Sequence, residues 1–151
     1  MTFHHLMLFL HVLGVVVWVG GMAFAYLCLR PAAMALPPAL RLPLWAGVFA
    51  RFFPLVWVAV VLILGTGGGM LLEVGFARAP AAWHVMLLTG LVMIGVFVSI
   101  WFAPWPRLRA AVAREDWAAG AVALNHIRQR VGFNLALGIA TIAIATLGLG
   151  V

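Results

Sequence analysis

The first 31 residues read MTFHHLMLFLHVLGVVVWVGGMAFAYLCLRP (residues 1–31), and no Asp, Glu, Lys or Arg interrupts them before Arg30. A helix needs roughly 20 predominantly apolar residues to cross a hydrocarbon core about 30 Å thick. This stretch therefore predicts a membrane-spanning helix, stopped by the Arg30-Pro31 pair. It lacks the basic start and short apolar run of a cleaved leader, so it is expected to remain as the first helix. The remaining chain repeats the pattern: residues 52–72, 79–106 and 131–151 are also free of formal charge. Pro31, Pro37 and Pro38 end the first run, Pro80 opens the third, and Pro104 and Pro106 close it. Pro54 is expected in a first turn or at a kink. These features predict an all-α membrane protein, a four-transmembrane-helix bundle formed by one domain over residues 1–151. The spans fall at about 3–29, 52–72, 81–103 and 131–150, with connections at 30–51 and 104–130.

The composition agrees. The chain is 67% hydrophobic and 8% charged, against about a quarter charged in soluble domains, and its mean hydropathy is +1.21. All nine basic residues are arginines, and the net charge is +6. Their scatter between apolar runs marks topology and lipid headgroups, with no nucleic-acid partner. Cys28 is the single cysteine, so no intrachain disulfide is possible and the C-x-x-C-H haem-attachment pattern is absent.

Counting arginines orients the bundle. The 30–51 and 107–130 segments hold Arg30, Arg41, Arg51, Arg107, Arg109, Arg114, Arg128 and Arg130, whereas the 73–80 connection has only Arg78. Cytoplasmic loops carry the excess of basic residues. Both connections are thus expected in the cytoplasm, and both termini outside, which in a bacterial inner membrane is the periplasm.

That orientation gathers His4, His5, His11 and His84 near the outer face. On a helix turning about 100° per residue, His4, Met7 and His11 share one stripe, continued inward by Gly14, Trp18, Gly21 and Met22. His5 points away from it. His11 sits roughly 10 Å deeper than His4 at the helical rise, and an ionisable ring at that depth is a functional candidate by default. The third span opens Trp83-His84-Val85-Met86, but His84 and Met86, two apart, face nearly opposite sides of an ideal helix. Met70 follows the run GTGGGM (65–70) and is a further candidate; Gly67, Gly68 and Gly69 read as a fraying helix end. Asn134, a turn inside the fourth span, is expected to bond a neighbouring helix. The tryptophans 45, 57, 83, 101, 105 and 117 read as an interfacial belt.

The missing groups narrow the chemistry. No carboxylate lies within a span, since Glu73, Glu115 and Asp116 all flank them. A hard cation would find no oxygen ligands at depth. There is no Ser-His-Asp set, phosphate loop or zinc-type cysteine cluster, so no catalytic residue is nominated. Imidazole and thioether remain, a donor set suited to Cu(I) or to an axially held haem.

These residues also carry a resemblance. The run HVLGVVVWVGGMAFAYLCLRP (11–31), with WHVML (83–87) and IRQRVGFNLALG (127–138), resembles the CopD family of bacterial four-span membrane proteins. The resemblance implies copper handling in the inner membrane, in resistance or uptake. A more distant similarity is to the HemJ-type protoporphyrinogen oxidases, which bind haem b. Carried across, His11 and His84 match, but a lysine expected two residues after the second histidine is Met86 here, and the chain has no lysine.

Three readings follow. In the first, copper is collected at the outer face by His4, Met7 and His11, completed by His84, Met86 or Met70, and passed inward past Met22 or Met93, with a homo-oligomer supplying any pore. In the second, the protein is a membrane redox protein or oxidase whose haem b is held by His11 with His84 or Met86 opposite, lined by Trp18, with Gly14 and Gly21 making room. In the third, the bundle is a ligand-free structural subunit.

Overall fold

The computed structural model describes residues 3–147, and every regular element among them is helical. Helix α1 spans Phe3–Ala33, α2 Pro38–Val74, α3 Ala81–Phe102, α4 Pro104–Ala113 and α5 Trp117–Leu147. A single 3-10 turn, Phe76–Arg78, joins α2 to α3. Helices α1, α2 and α5, and α3 run together with α4, are each long and apolar enough to cross a membrane. The chain is an all-α, multi-pass membrane protein built as a four-helix bundle. The last expected residues of the fourth span, 148–150, lie outside the described residues.

The helices outrun the charge-free runs that announce them. Helix α2 begins at Pro38 and carries both Pro43 and Pro54 inside it, so the break after α1 covers only residues 34–37. Residues 104–130, expected as a connection, are α4 and the first turns of α5. Local chemistry sets the ends. Gly75 takes φ +88° and donates its N–H to the Leu71 carbonyl at 3.0 Å, a left-handed ending that a residue with a Cβ resists. Asp116 caps α5, its Oδ1 accepting the Ala119 N–H at 3.0 Å, which satisfies a donor otherwise orphaned at the helix start.

Two antiparallel hairpins make the bundle. In the first, α1 lies against α2, and glycines set the approach. A Cβ on Gly14 would stand 2.9 Å from Ile63 Cγ1, and one on Gly21 would overlap the Phe52 ring. In the second, polar bonds tie α3 to α5: Arg130 Nη1 donates to Ser99 O at 3.0 Å, Asn134 Nδ2 to Met93 O at 2.9 Å, and the Thr141 and Thr89 hydroxyls are 2.9 Å apart. Asn134 thus bonds a neighbouring helix as its position predicts. Phe9, Val16, Leu27, Leu55, Val61, Leu88 and Ile139 stay exposed, the apolar outer face that lipid requires.

The core corrects one expectation. Trp45 and Trp105 are buried, and Trp57 and Trp101 pack against the buried core. Phe49 stacks on Phe53 with centroids 4.9 Å apart; Trp105 meets Phe53 at 5.3 Å and Trp57 meets Phe97 at 5.1 Å. These four tryptophans are an aromatic core between α2, α3 and α4, not an interfacial belt. Such pairs add about 0.5–1.5 kcal/mol each beyond their buried area.

Helix α1 also departs from a plain α-helix. Residues Val16–Gly20 and Ala25–Leu29 are π-helical. Each wide turn rotates the residues beyond it, so the stripe drawn from ideal geometry holds best for Phe3–Val15, the α-helical part that carries His4, Met7 and His11.

Candidate metal site

The histidine stripe of α1 meets α2. His4 Nδ1 lies 3.2 Å from Glu73 Oε2 at the end where the chain starts. One turn in, Met7 Sδ lies 3.9 Å from where a Cβ on Gly69 would stand. Another turn in, His11 Nδ1 lies 3.0 Å from Thr66 Oγ1. Going down α1 is going back along α2, in constant antiparallel register. The stripe is therefore a seam between two helices, running from an exposed imidazole–carboxylate contact to a buried hydroxyl.

The partners of Thr66 favour one tautomer of His11. A hydroxyl has one hydrogen, and the Thr66 Oγ1–H donates to the Leu62 carbonyl within its own helix. Its oxygen is then the acceptor, so His11 donates from Nδ1. A neutral imidazole protonated at Nδ1 keeps its lone pair on Nε2, the form in which histidine ligates a metal through that atom.

Gly67 makes the contact possible. A Cβ there would stand 3.1 Å from His11 Cε1, so a side chain would press on the edge of the imidazole. Residues 67–69 are helical, which corrects the reading of a frayed end: Gly67 and Gly69 give the smooth face on which His11 and Met7 lie. Met70 is buried one turn beyond Thr66 on the same face of α2.

His84 and Met86 stand elsewhere. His84 Nε2 lies 3.1 Å from Phe76 O and its Nδ1 lies 3.3 Å from Pro80 O. Both ring nitrogens thus face carbonyls of the α2–α3 turn, and the ring packs edge-on against Phe76 at 4.6 Å. Met86 is half-buried on α3. Trp18 is buried, its ring 6.2 Å from Phe97. Met22 and Met93 belong to the core cluster. His5 is exposed.

The residues do not fit a porphyrin as arranged. The clefts at Gly14 and Gly21 are filled by Ile63 and Phe52, Trp18 is packed on Phe97, and the His84 ring is turned toward carbonyls of the α2–α3 turn. For a metal ion the donor set is sparse: among the described residues, no three His, Cys, Asp or Glu side chains could hold one together. Any metal site in the seam would need thioether sulfur beside imidazole, a donor set that suits a soft ion such as Cu(I) better than hard or borderline ions.

Sequence reasoning left Thr66 out and treated Glu73 only as a flanking acid. The signal was present: with α1 and α2 antiparallel and joined by a short break, the one hydroxyl of the second span falls opposite His11.

Comparison with known proteins places these elements. No curated protein and no solved structure matches the chain. A family model described as copper resistance protein D matches residues 46–147, covering most of α2 with Thr66, Met70 and Glu73, and all of α3, α4 and α5. No match supports the similarity to the haem-binding oxidases. With α2 to α5 matched over two thirds of its length, the chain belongs to the copper resistance protein D family.

Proposed function

We propose that this protein handles copper in a bacterial inner membrane by binding Cu(I) in the α1–α2 seam, near the face where α1 begins and α2 ends. His11 Nε2 and Met7 Sδ are the principal ligands, with Met70, one turn from Thr66 on α2, a further thioether candidate. The observation that carries the reading is the His11–Thr66 hydrogen bond, because it turns a costly intramembrane imidazole into an oriented ligand. His4 and Glu73 stand at the exposed mouth, where a paired carboxylate lowers the cost of bringing in a cation. The excess of arginine at the other end supports a periplasmic mouth. Met22 and Met93 are closed into the core, so the reading is of capture and holding at the mouth, with any onward passage requiring the bundle to open.

The test is copper retention. Protein purified in detergent, loaded with Cu(I) under reducing conditions and desalted, is expected to keep copper in fixed proportion to protein. His11→Ala is expected to lose it and His5→Ala to keep it. Equal retention by both would remove the site. Absence of retained copper in the unsubstituted protein would favour the structural-subunit reading.

A further inference from the structure

A second site stands at the opposite end of the bundle. Where α1, α2 and α5 converge, they leave a cavity of about 250 Å³. Arg30 from the end of α1, Arg41 from the first turn of α2 and Arg128 from α5 all line it, over a floor that includes Trp45 and Phe49, with Tyr26 beside them. No Asp or Glu lines it, and none of the three arginines forms an ion pair among the described residues.

The guanidinium groups are held but mostly unspent. Arg30 lies 5.2 Å over the Tyr26 ring. Arg128 Nη2 donates to Asn125 Oδ1 at 2.6 Å, and Arg41 Nη1 makes only a 3.8 Å contact with Met34 Sδ. Each guanidinium carries five N–H donors, so most have no protein acceptor. Three like charges facing one cavity repel unless an anion sits between them. A phosphate suits guanidinium geometry, since the planar fork offers two parallel N–H donors to two oxygens.

The apolar floor distinguishes the source of that phosphate. A free anion gains nothing from Trp45 and Phe49, whereas a glycerol backbone and the first methylenes of an acyl chain would bury against them. The cavity also lies where the apolar run of α1 gives way to Arg30, the level of lipid headgroups, and basic pockets between membrane helices recognise such headgroups. We infer that this cavity binds one anionic phospholipid, its phosphate held by Arg30, Arg41 and Arg128 and its upper chain lying on the aromatic floor.

The experiment is native mass spectrometry of the intact chain in detergent, titrated with phosphatidylglycerol or phosphatidylcholine. One phosphatidylglycerol is expected to bind at least about tenfold more tightly than phosphatidylcholine. The double substitution Arg41→Gln with Arg128→Gln is expected to reduce that preference to within about twofold. Arg107→Gln with Arg114→Gln, which removes the same charge from exposed positions, should leave it intact. Equal binding of the two lipids by the unsubstituted protein would overturn the inference without needing any variant to fold. So would loss of preference in both double variants alike, which would indicate net charge alone. Saturable binding of inorganic phosphate that displaces phosphatidylglycerol would overturn it in favour of a free-anion site. Copper retention is independent of this readout.

Discussion

His11 Nδ1 and Thr66 Oγ1, 55 positions apart in the chain, are 3.0 Å apart in the bundle. Because the Thr66 hydrogen is directed to Leu62, the bond leaves Nε2 of His11 as the basic nitrogen. Replacing Thr66 by valine keeps the shape of the side chain and removes the acceptor. Loss of such an orienting partner costs about 10- to 100-fold in metal affinity. Competition against a chromogenic Cu(I) chelator is expected to show a loss of that size, with helical content unchanged. Unaltered affinity would mean that the hydroxyl does not position the ligand.

Gly67 should be as sensitive as Thr66. Gly67→Val places a branched side chain where the imidazole edge lies, so copper affinity is expected to fall with little change in overall helicity. Gly68→Val, where nothing stands within 4 Å, is the matched control and should bind as before. The same titration checks both.

Packing of α1 on α2 makes a separate prediction. A Cβ on Gly21 runs into the Phe52 ring, whereas one on the neighbouring Gly20 meets nothing within 4 Å. Overpacking costs about 1–3 kcal/mol. Gly21→Val is therefore expected to lower the thermal midpoint clearly and Gly20→Val to leave it within a degree or so, about the effect of a minor surface change. Phe52→Ala should recover part of the loss at Gly21. Equal midpoints for the two glycine variants would contradict this approach of the helices.

The buried amide of the second hairpin behaves differently. Asn134 Nδ2 donates to Met93 O, but its Oδ1 has no partner among the described residues. Leaving a buried acceptor unsatisfied costs about 1–3 kcal/mol, which offsets much of the bond on the other side. Asn134→Leu is expected to change stability by less than about 1 kcal/mol. Asn134→Asp, which turns a carboxylate toward the Met93 carbonyl, should destabilise by about 3 kcal/mol or more. Thermal unfolding in detergent reads both.

Much of this fold is visible in the sequence because hydrocarbon imposes length and apolarity on each span. The charge-free runs locate all four helices, and Gly75 and the prolines at 37, 80 and 104 lie at their boundaries. What escapes is whatever depends on two helices at once. Trp45, Trp57, Trp101 and Trp105 have the positions of an interfacial belt, and only the packing of α2 against α3 and α4 shows them to be core. Gly67 to Gly69 look like an unravelling end until α1 is laid against them. The periodicity of α1 aligned His4, Met7 and His11, but it could not say which helix they face. The π-helical turns at Val16–Gly20 and Ala25–Leu29 had no signature that separates them from ordinary apolar helix.

The most direct measurement of the central claim is the Cu K-edge absorption spectrum of the Cu(I)-loaded protein. A shell containing both imidazole nitrogen and thioether sulfur, with the sulfur contribution reduced in Met7→Leu and the nitrogen contribution lost in His11→Ala, is the predicted result. A shell of nitrogen and oxygen alone, or one unchanged in both variants, would contradict a His11–Met7 site in the α1–α2 seam.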